Sequence, residues 1–166
     1  MTSNADWLPP LVLLADYDGD AAAYLEAVYG YFRQDFVGSQ PVYPTKRFAL
    51  KRHPMTLGKE ATFWHLISSG PLEEDRLPDL RRCERIRWPR PMIEAIQGDR
   101  LRMWTNERQG HRRIVIAVDD FSYVVVLEER ADYVLLWTAY FVEQPHRRGK
   151  LRREYEAWLK TQPQKS

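Results

Sequence analysis

The stretch from Arg112 to Tyr140 constrains the fold more than any other part of this 166-residue chain. It contains three β-rich segments separated by short acidic turns, at residues 112–118, 123–127 and 133–140. Residues 100–105 predict a further strand ahead of them. About ten residues separate one strand start from the next, which leaves no room for crossover helices. The pattern therefore predicts an antiparallel meander of four strands.

Helical patterns precede and follow this meander. Asp20 is a typical N-cap for a helix that runs to about Phe36. The other predicted elements are helices at 59–68, 77–85, 91–97 and 146–159 and short strands at 11–14 and 47–51. The final helix is basic and carries an apolar face formed by Leu151, Tyr155, Trp158 and Leu159. This order predicts an α+β fold, with N-terminal helices, a four-stranded antiparallel sheet and a C-terminal basic helix.

Length and composition indicate one globular domain over residues 1–166. Within it we distinguish an N-terminal extension (1–50), a core (59–142) and a C-terminal helix (145–160). The only cysteine, Cys83, excludes an internal disulfide and predicts a reducing, cytoplasmic setting. The early apolar run LPPLVLLA is too short to span a membrane and has no basic flank, so neither a signal peptide nor a membrane segment is expected.

The net charge of +2 conceals a strong segregation of charge along the chain. Residues 1–45 contain one arginine and six acidic residues, whereas residues 81–113 contain ten arginines and four acidic residues. The segment 145–160 adds six basic residues against two acidic ones. Such a distribution favours a polyanionic partner. The alternative is that the arginines pair with the acidic N-terminal segment or lie on solvated helix faces.

His65 is the strongest single candidate for a catalytic residue. It lies in TFWHLIS among core-type residues, and a histidine at the edge of an apolar helix face can act as a general base near neutral pH. The alternative is a core histidine whose ring nitrogens are satisfied locally. The remaining histidines are scattered and show no zinc-binding spacing with Cys83, so we expect no metal and no cofactor.

Two further groups of residues suit phosphate binding. The cluster RRCERIRWPR places Arg82, Arg85 and Arg87 next to Trp88, and a planar guanidinium matches phosphate oxygens while an indole can stack on a base. Thr138 and Tyr140 share one face of the last strand, where their hydroxyl groups can bind a phosphate or a ribose 2′-OH. The alternatives are an exposed helix face with a buried Trp88, and a Tyr140 that only packs against the final helix.

The segment VLLADYDGD resembles the first motif of haloacid-dehalogenase-like phosphatases, with Asp16 and Asp18 as the two catalytic carboxylates. That motif requires a threonine after the glycine, and Asp20 stands there instead. A polar turn followed by a helix cap is the simpler interpretation. Magnesium-dependent phosphatase chemistry ranks third among the hypotheses.

The order of the pieces resembles the phage-associated nucleases of the barnase–EndoU–colicin–RelE type. The matching parts are FWHLIS, the 80–93 region with its prolines, the strands from residue 100 onward and the terminal WTAY, together covering about residues 59–142. The chain also looks like phage-related proteins of unassigned biochemistry. The resemblance implies a toxin-like endoribonuclease that needs no metal, cleaves tRNA or mRNA to a 2′,3′-cyclic phosphate, and is restrained by an inhibitor or antitoxin protein.

Under this hypothesis His65 is the base, Arg85 and Arg87 hold the phosphate oxygens, and Thr138 and Tyr140 orient the phosphate or assist the leaving group. The expected substrate-binding residues are Arg82, Trp88, Arg147, Arg148 and Lys150. The alternative function is a non-catalytic module of phage origin that binds nucleic acid or protein.

Overall fold

The computed structural model describes residues 6–70 and 77–163 and shows an α+β fold with helices on both faces of one sheet. The helices are α1 (Ala21–Phe36), α2 (Ala61–Ile67), α3 (Leu80–Glu84), α4 (Pro89–Glu94) and α5 (Pro145–Thr161), after a 3-10 helix at Leu14–Tyr17. The strands are β1 (Arg47–Ala49), β2 (Ser68–Ser69), β3 (Leu77–Pro78), β4 (Arg102–Arg108), β5 (His111–Ala117), β6 (Tyr123–Glu129) and β7 (Tyr133–Phe141).

The main sheet has five strands in the order β1-β7-β6-β5-β4. Strands β4 to β7 form the expected antiparallel meander, but β1 pairs in parallel with the start of β7, from Arg47 opposite Tyr133 to Ala49 opposite Leu135. The α+β class is thus confirmed, and the expectation of a four-stranded, purely antiparallel sheet is wrong. The three residues of β1 do not indicate in their own sequence which strand they pair with, because that strand lies more than eighty positions further along the chain.

A tight turn fixes the register of β4 against β5. Gln109 and Gly110 form its two central positions, with φ of 53° and 78°, as a type I′ hairpin turn requires. Arg108 and His111 are consequently paired, and Asn106 lies opposite Arg113 further down the ladder. This register brings polar and charged side chains to one end of the sheet.

The pairing of β6 with β7 contains an irregularity. Val126 pairs with Thr138 and the next residue, Leu127, pairs with Leu136, so that Trp137 is an extra residue in β7. Such a bulge lets two consecutive side chains lie opposite a single residue of the neighbouring strand. Trp137 and Thr138 accordingly line the same cleft.

The N-terminal helices cover one face of the sheet. Helix α1 buries Tyr24, Val28, Phe32 and Phe36 at four-residue spacing, which is the spacing that places side chains on one helix face. The Asp20 side chain accepts hydrogen bonds from the backbone N–H groups of Ala22 and Ala23 at 3.1 Å, so the predicted start and end of this helix are confirmed.

Helix α5 covers the other face. Its Tyr155 packs against Trp104 and Phe121, with ring centroids 5.7 and 5.9 Å away. The indole N–H of Trp158 donates to Thr105 Oγ1 at 3.1 Å. The predicted helix is confirmed, but Leu159 does not belong to its packing face, because its side chain is 45% exposed.

Two local predictions in the N-terminal half are wrong. Residues 11–14 form no strand, because the Val12 N–H donates to Glu84 O and no neighbouring strand pairs with the segment. The helix expected from Leu77 starts only at Leu80, since Asp79 accepts from two backbone N–H groups as an N-cap. Within the described residues, no helix combines the length and apolar character needed to cross a membrane.

Candidate active site

The C-terminal end of α2 is attached to the bulge of β7. The Thr138 hydroxyl donates to the main-chain oxygen of His65 at 2.9 Å. Arg82 Nη1 of α3 donates to the main-chain oxygen of Ser68 at 2.6 Å and contacts that of His65 at 3.4 Å. The imidazole of His65 meets the Trp137 ring edge-on, with centroids 5.5 Å apart. Residues that are far apart in sequence therefore meet at one point.

Tyr140 lies at the same place and carries the candidate reactive hydroxyl. The Arg82 guanidinium stands 5.8 Å from the centre of its ring. Burial raises the pKa of Tyr140, Glu154 raises it further, and the positive charges of Arg82, Arg108 and Arg147 lower it. Because the raising effects prevail, the phenol stays protonated at neutral pH. Its hydroxyl makes no hydrogen bond to any residue in the described ranges, so it is available to a ligand.

A cleft of about 170 Å³ opens from Tyr140 between the sheet and α5. Its apolar lining comes from Val115, Val126 and Leu151, and Trp137 adds an aromatic side chain. The polar lining consists of Asn106, Arg108, Arg113, Thr138, Tyr140 and Glu154. The cleft therefore has an apolar part and a polar part, and the polar part carries cationic and hydroxyl side chains.

Arg113 of β5 lines this cleft on the side of the sheet. Its guanidinium carbon lies 5.1 Å from the centre of the Trp137 ring, and its Nε is 3.6 Å from Glu128 Oε2. Glu128 is only 2% exposed and also pairs with Arg130. Since a buried carboxylate requires charged partners, these contacts hold Arg113 in place beside Trp137.

Arg85 and Arg87 do not join Tyr140. The Arg85 guanidinium carbon lies 4.1 Å from the centre of the Phe141 ring, and Phe141 projects to the opposite face of the sheet from Tyr140. Burial lowers the pKa of Arg85, and its nearest carboxylate is Glu84 at 3.4 Å. Arg87 lies over the ring of Tyr31 on α1, at 5.0 Å.

Trp88 is engaged within the protein. Its indole N–H donates to Pro9 O at 2.8 Å, its ring meets Tyr123 edge-on at 5.2 Å, and the Arg85 guanidinium lies 5.2 Å from its centre. The contacts of this side chain fit the core interpretation left open by the sequence. Its predicted role in stacking a base stays a prediction.

The basic residues at the start of α5 divide into two kinds. Arg147 is exposed and close enough to affect Tyr140, and Lys150 is exposed as well. Arg148 is half-buried, donates from Nε to Val142 O at 2.7 Å and stacks 5.6 Å from the centre of Phe141. Arg147 and Lys150 can therefore face a ligand, whereas Arg148 anchors the helix.

Four residues of this region escaped sequence reasoning: Asn106, Arg108, Arg113 and Glu154. The first three share one face of the β4–β5 hairpin, and the signal that could reveal this is the Gln109-Gly110 turn, which fixes the register of the two strands. Glu154 follows Leu151 by three residues on α5 and thus shares its side of the helix.

Within the described residues, no group of three or more His, Cys, Asp or Glu side chains is arranged to hold a metal ion. Comparisons of the chain with protein-family models, with curated proteins and with solved structures gave no match.

Proposed function

We propose that this chain is a metal-independent endoribonuclease that acts where α2, α3 and β7 meet. The observation that carries the proposal is that Arg82 lies 5.8 Å from the centre of the Tyr140 ring and Arg108 lines the same cleft, while the Tyr140 hydroxyl has no hydrogen-bond partner among the described residues. Arg147, from a third element, is also close enough to influence Tyr140. His65 and Thr138 stand beside this group. Four of the residues named from sequence, His65, Arg82, Thr138 and Tyr140, thereby share one neighbourhood.

The arginines supply the phosphate-binding charge. A guanidinium offers a planar fork of N–H donors that matches two oxygens of a phosphodiester and never loses its charge at physiological pH. Arg82 is fixed by its bonds to main-chain oxygens of Ser68 and His65, so it presents its charge with little loss of side-chain entropy. In this proposal Arg82 takes the role that the sequence suggested for Arg85 and Arg87.

The proposed reaction is an internal transfer within the RNA chain. His65 takes the proton of the ribose 2′-OH while the 2′-oxygen forms a bond to the adjacent phosphorus. The bond from phosphorus to the 5′-oxygen breaks, and Tyr140 donates its proton to that leaving oxygen. The arginines stabilise the charge that builds on the non-bridging oxygens. The products are a 2′,3′-cyclic phosphate and a free 5′-hydroxyl.

A second candidate function is non-catalytic binding of RNA or of an acidic protein. It is favoured by the burial of His65, whose side chain is 8% exposed and whose main-chain oxygen accepts from Thr138. A histidine in that position can stabilise the junction of α2 with β7 without touching a substrate. The same arginines would then contribute only to the affinity for RNA or for the acidic protein.

The two candidates differ in what the loss of His65 does. Purified protein is incubated with total tRNA and with a long mRNA in the presence of EDTA, alongside His65→Gln. His53→Gln is the matched control, because His53 is an exposed histidine in the loop before α2. The nuclease proposal expects fragments with 2′,3′-cyclic phosphate ends from the wild type and the control, and none from His65→Gln.

Intact RNA together with equal, salt-sensitive binding in all three proteins would overturn the enzyme and leave the binding module. Absence of both cleavage and binding would overturn both. A ribonuclease of this kind is toxic to its own cell, so the proposal also includes a cytoplasmic setting and an inhibitor or antitoxin protein whose acidic side chains occupy the arginine site.

A further inference from the structure

A turn just before α2 exposes two large apolar side chains. Residues 51–58 are all exposed, and Met55 and Leu57 are 46% and 79% exposed. Thr56 and Lys59 pair with each other, so Leu57 lies at the tip of a two-residue turn. A single exposed apolar residue is ordinary on a protein surface. The conformation of this turn and the charge around it are what set it apart.

The backbone of the turn does not explain the leucine. Leu57 has φ 52° and Gly58 has φ 73°, as the two central residues of a type I′ turn require. Such turns favour Asn-Gly, because the left-handed region is unfavourable for a bulky side chain. Leu57 thus costs stability through its backbone and regains almost none by packing, since its side chain is exposed. A conformational outlier of this kind points to a role outside the fold itself.

The turn is fixed against α1 and α2. Thr56 and Lys59 exchange two backbone hydrogen bonds of 3.0 Å, and Thr56 O also accepts from the indole N–H of Trp64 at 3.0 Å. Lys59 is only 7% exposed, and its ammonium donates to a carboxylate oxygen of Glu26 on α1 at 2.7 Å. The tip is therefore presented in one defined position, and little conformational entropy is lost when it binds.

The charge around the tip is positive. The sequence has no acidic residue from 36 to 59, and the same stretch contains five lysines and arginines. Lys51 and Arg52 are exposed on the arm that leads into the turn, and neither forms an ion pair with a described acidic residue. Glu60, which follows the stretch, is buried and accepts a hydrogen bond from Tyr29. The stretch therefore presents cationic and apolar groups and no carboxylate.

We propose that the 51–58 turn binds the surface of an anionic lipid bilayer, with Met55 and Leu57 inserted among the acyl chains and Lys51 and Arg52 at the headgroups. A fluid hydrocarbon layer closes around a convex apolar tip, whereas a protein partner would have to supply a matching pocket. Cations beside an inserted apolar group are the combination that binds anionic lipids. The inference does not depend on ribonuclease activity, because the candidate active site lies at the other end of α2.

The test is sedimentation of the intact protein with vesicles of phosphatidylcholine alone or of phosphatidylcholine mixed with phosphatidylglycerol. We expect binding to the mixed vesicles and about tenfold weaker binding to phosphatidylcholine alone, because two cations lose their attraction. Leu57→Asn should weaken binding to the mixed vesicles by about tenfold or more, since one leucine side chain no longer leaves water. This variant creates the Asn-Gly pair that the turn favours, so its urea midpoint should equal or exceed that of the wild type.

Two control variants match these changes. Leu77→Asn replaces a leucine that is 73% exposed in β3, beyond the opposite end of α2, and should leave binding unchanged. Lys51→Gln combined with Arg52→Gln should weaken binding to the mixed vesicles about tenfold. Arg153→Gln combined with Lys160→Gln removes the same charge from exposed positions of α5 and should change binding by less than about threefold.

Several results would overturn the proposal. Absence of binding to the mixed vesicles is one, and binding that Leu57→Asn leaves unchanged is another. Equal losses in the two double variants would show that net charge alone adsorbs the protein. Gel filtration without lipid tests for contact between copies of the chain. A dimer that dissociates in Leu57→Asn would assign the tip to a second copy and not to a membrane.

Discussion

The sharpest test of the site is the substitution Tyr140→Phe, which removes a single oxygen atom. The ring and its contact with Arg82 at 5.8 Å are retained. The hydroxyl itself makes no hydrogen bond to any described residue, and burial raises its pKa. The hydroxyl is not among the buried polar atoms that lack a partner in the described residues, so solvent reaches it. We therefore expect a free energy of unfolding within about 0.5 kcal/mol of that of the wild type.

The effect on catalysis should be large. Loss of one general acid lowers a rate by about 10²–10⁴-fold, which corresponds to roughly 3–5 kcal/mol of activation free energy at about 1.36 kcal/mol per factor of ten. RNA affinity should change by less than about threefold, because the charges that bind phosphate are intact. The variant therefore separates chemistry from binding and from folding.

The assay combines single-turnover cleavage of an end-labelled RNA, filter binding and urea unfolding. Tyr155→Phe is the matched control, because Tyr155 packs against Trp104 and Phe121 outside the proposed site. A Tyr140→Phe protein that cleaves at the wild-type rate refutes Tyr140 as the proton donor. A loss of more than about 2 kcal/mol of stability would show instead that the hydroxyl has a structural partner, since that is the cost of breaking a buried hydrogen bond.

Four further outcomes are expected elsewhere in the chain. Asp20→Ala should lower the free energy of unfolding by about 1 kcal/mol in urea titrations, because α1 loses its N-cap; an unchanged midpoint would contradict this. Burial raises the pKa of the Cys83 thiol to about 12, so native protein should resist thiol reagents at pH 8 and react only on unfolding. The pKa of Tyr29 is also raised to about 12 by burial and by its hydrogen bond to Glu60. The unfolded chain ionises these groups at ordinary values of 9.0 and 10.0, so stability should be full below about pH 9 and fall as the pH rises toward 12; a flat alkaline stability curve would argue against it. Arg147→Ala should reduce the salt dependence of RNA binding by about one phosphate contact, and an unchanged slope would remove Arg147 from the interface.

Local sequence signals were sufficient for much of this fold. The Asp20 cap and the four-residue spacing from Tyr24 to Phe36 define α1, and both act through contacts inside the helix. The meander from β4 to β7 follows from alternation and short turns. These elements depend on neighbours that are close in sequence, so the sequence shows them directly.

The arginine cluster shows where local reasoning fails. Arg82 and Arg85 are three residues apart, a spacing that puts two side chains on one face of a continuing helix. Helix α3, however, ends at Glu84, and Arg85 has φ −106° and ψ 20°. The two guanidiniums therefore diverge, one toward Tyr140 and the other toward Phe141. The sequence shows that arginines are concentrated in this segment. Which of them points toward Tyr140 depends on the residue at which α3 ends, and helix propensity does not fix that residue.

The bulge in β7 explains how the chain joins its candidate base to its candidate phosphate site. In a regular strand the side chains of Trp137 and Thr138 would lie on opposite faces of the sheet. The extra residue opposite Val126 places both on the face that α5 covers, where they line the cleft; there the indole also meets the His65 ring and the hydroxyl donates to the His65 main-chain oxygen. Alternation then resumes and delivers Tyr140 to the same face as Thr138. One inserted residue thus brings the histidine of α2 and the tyrosine of β7 to a common site.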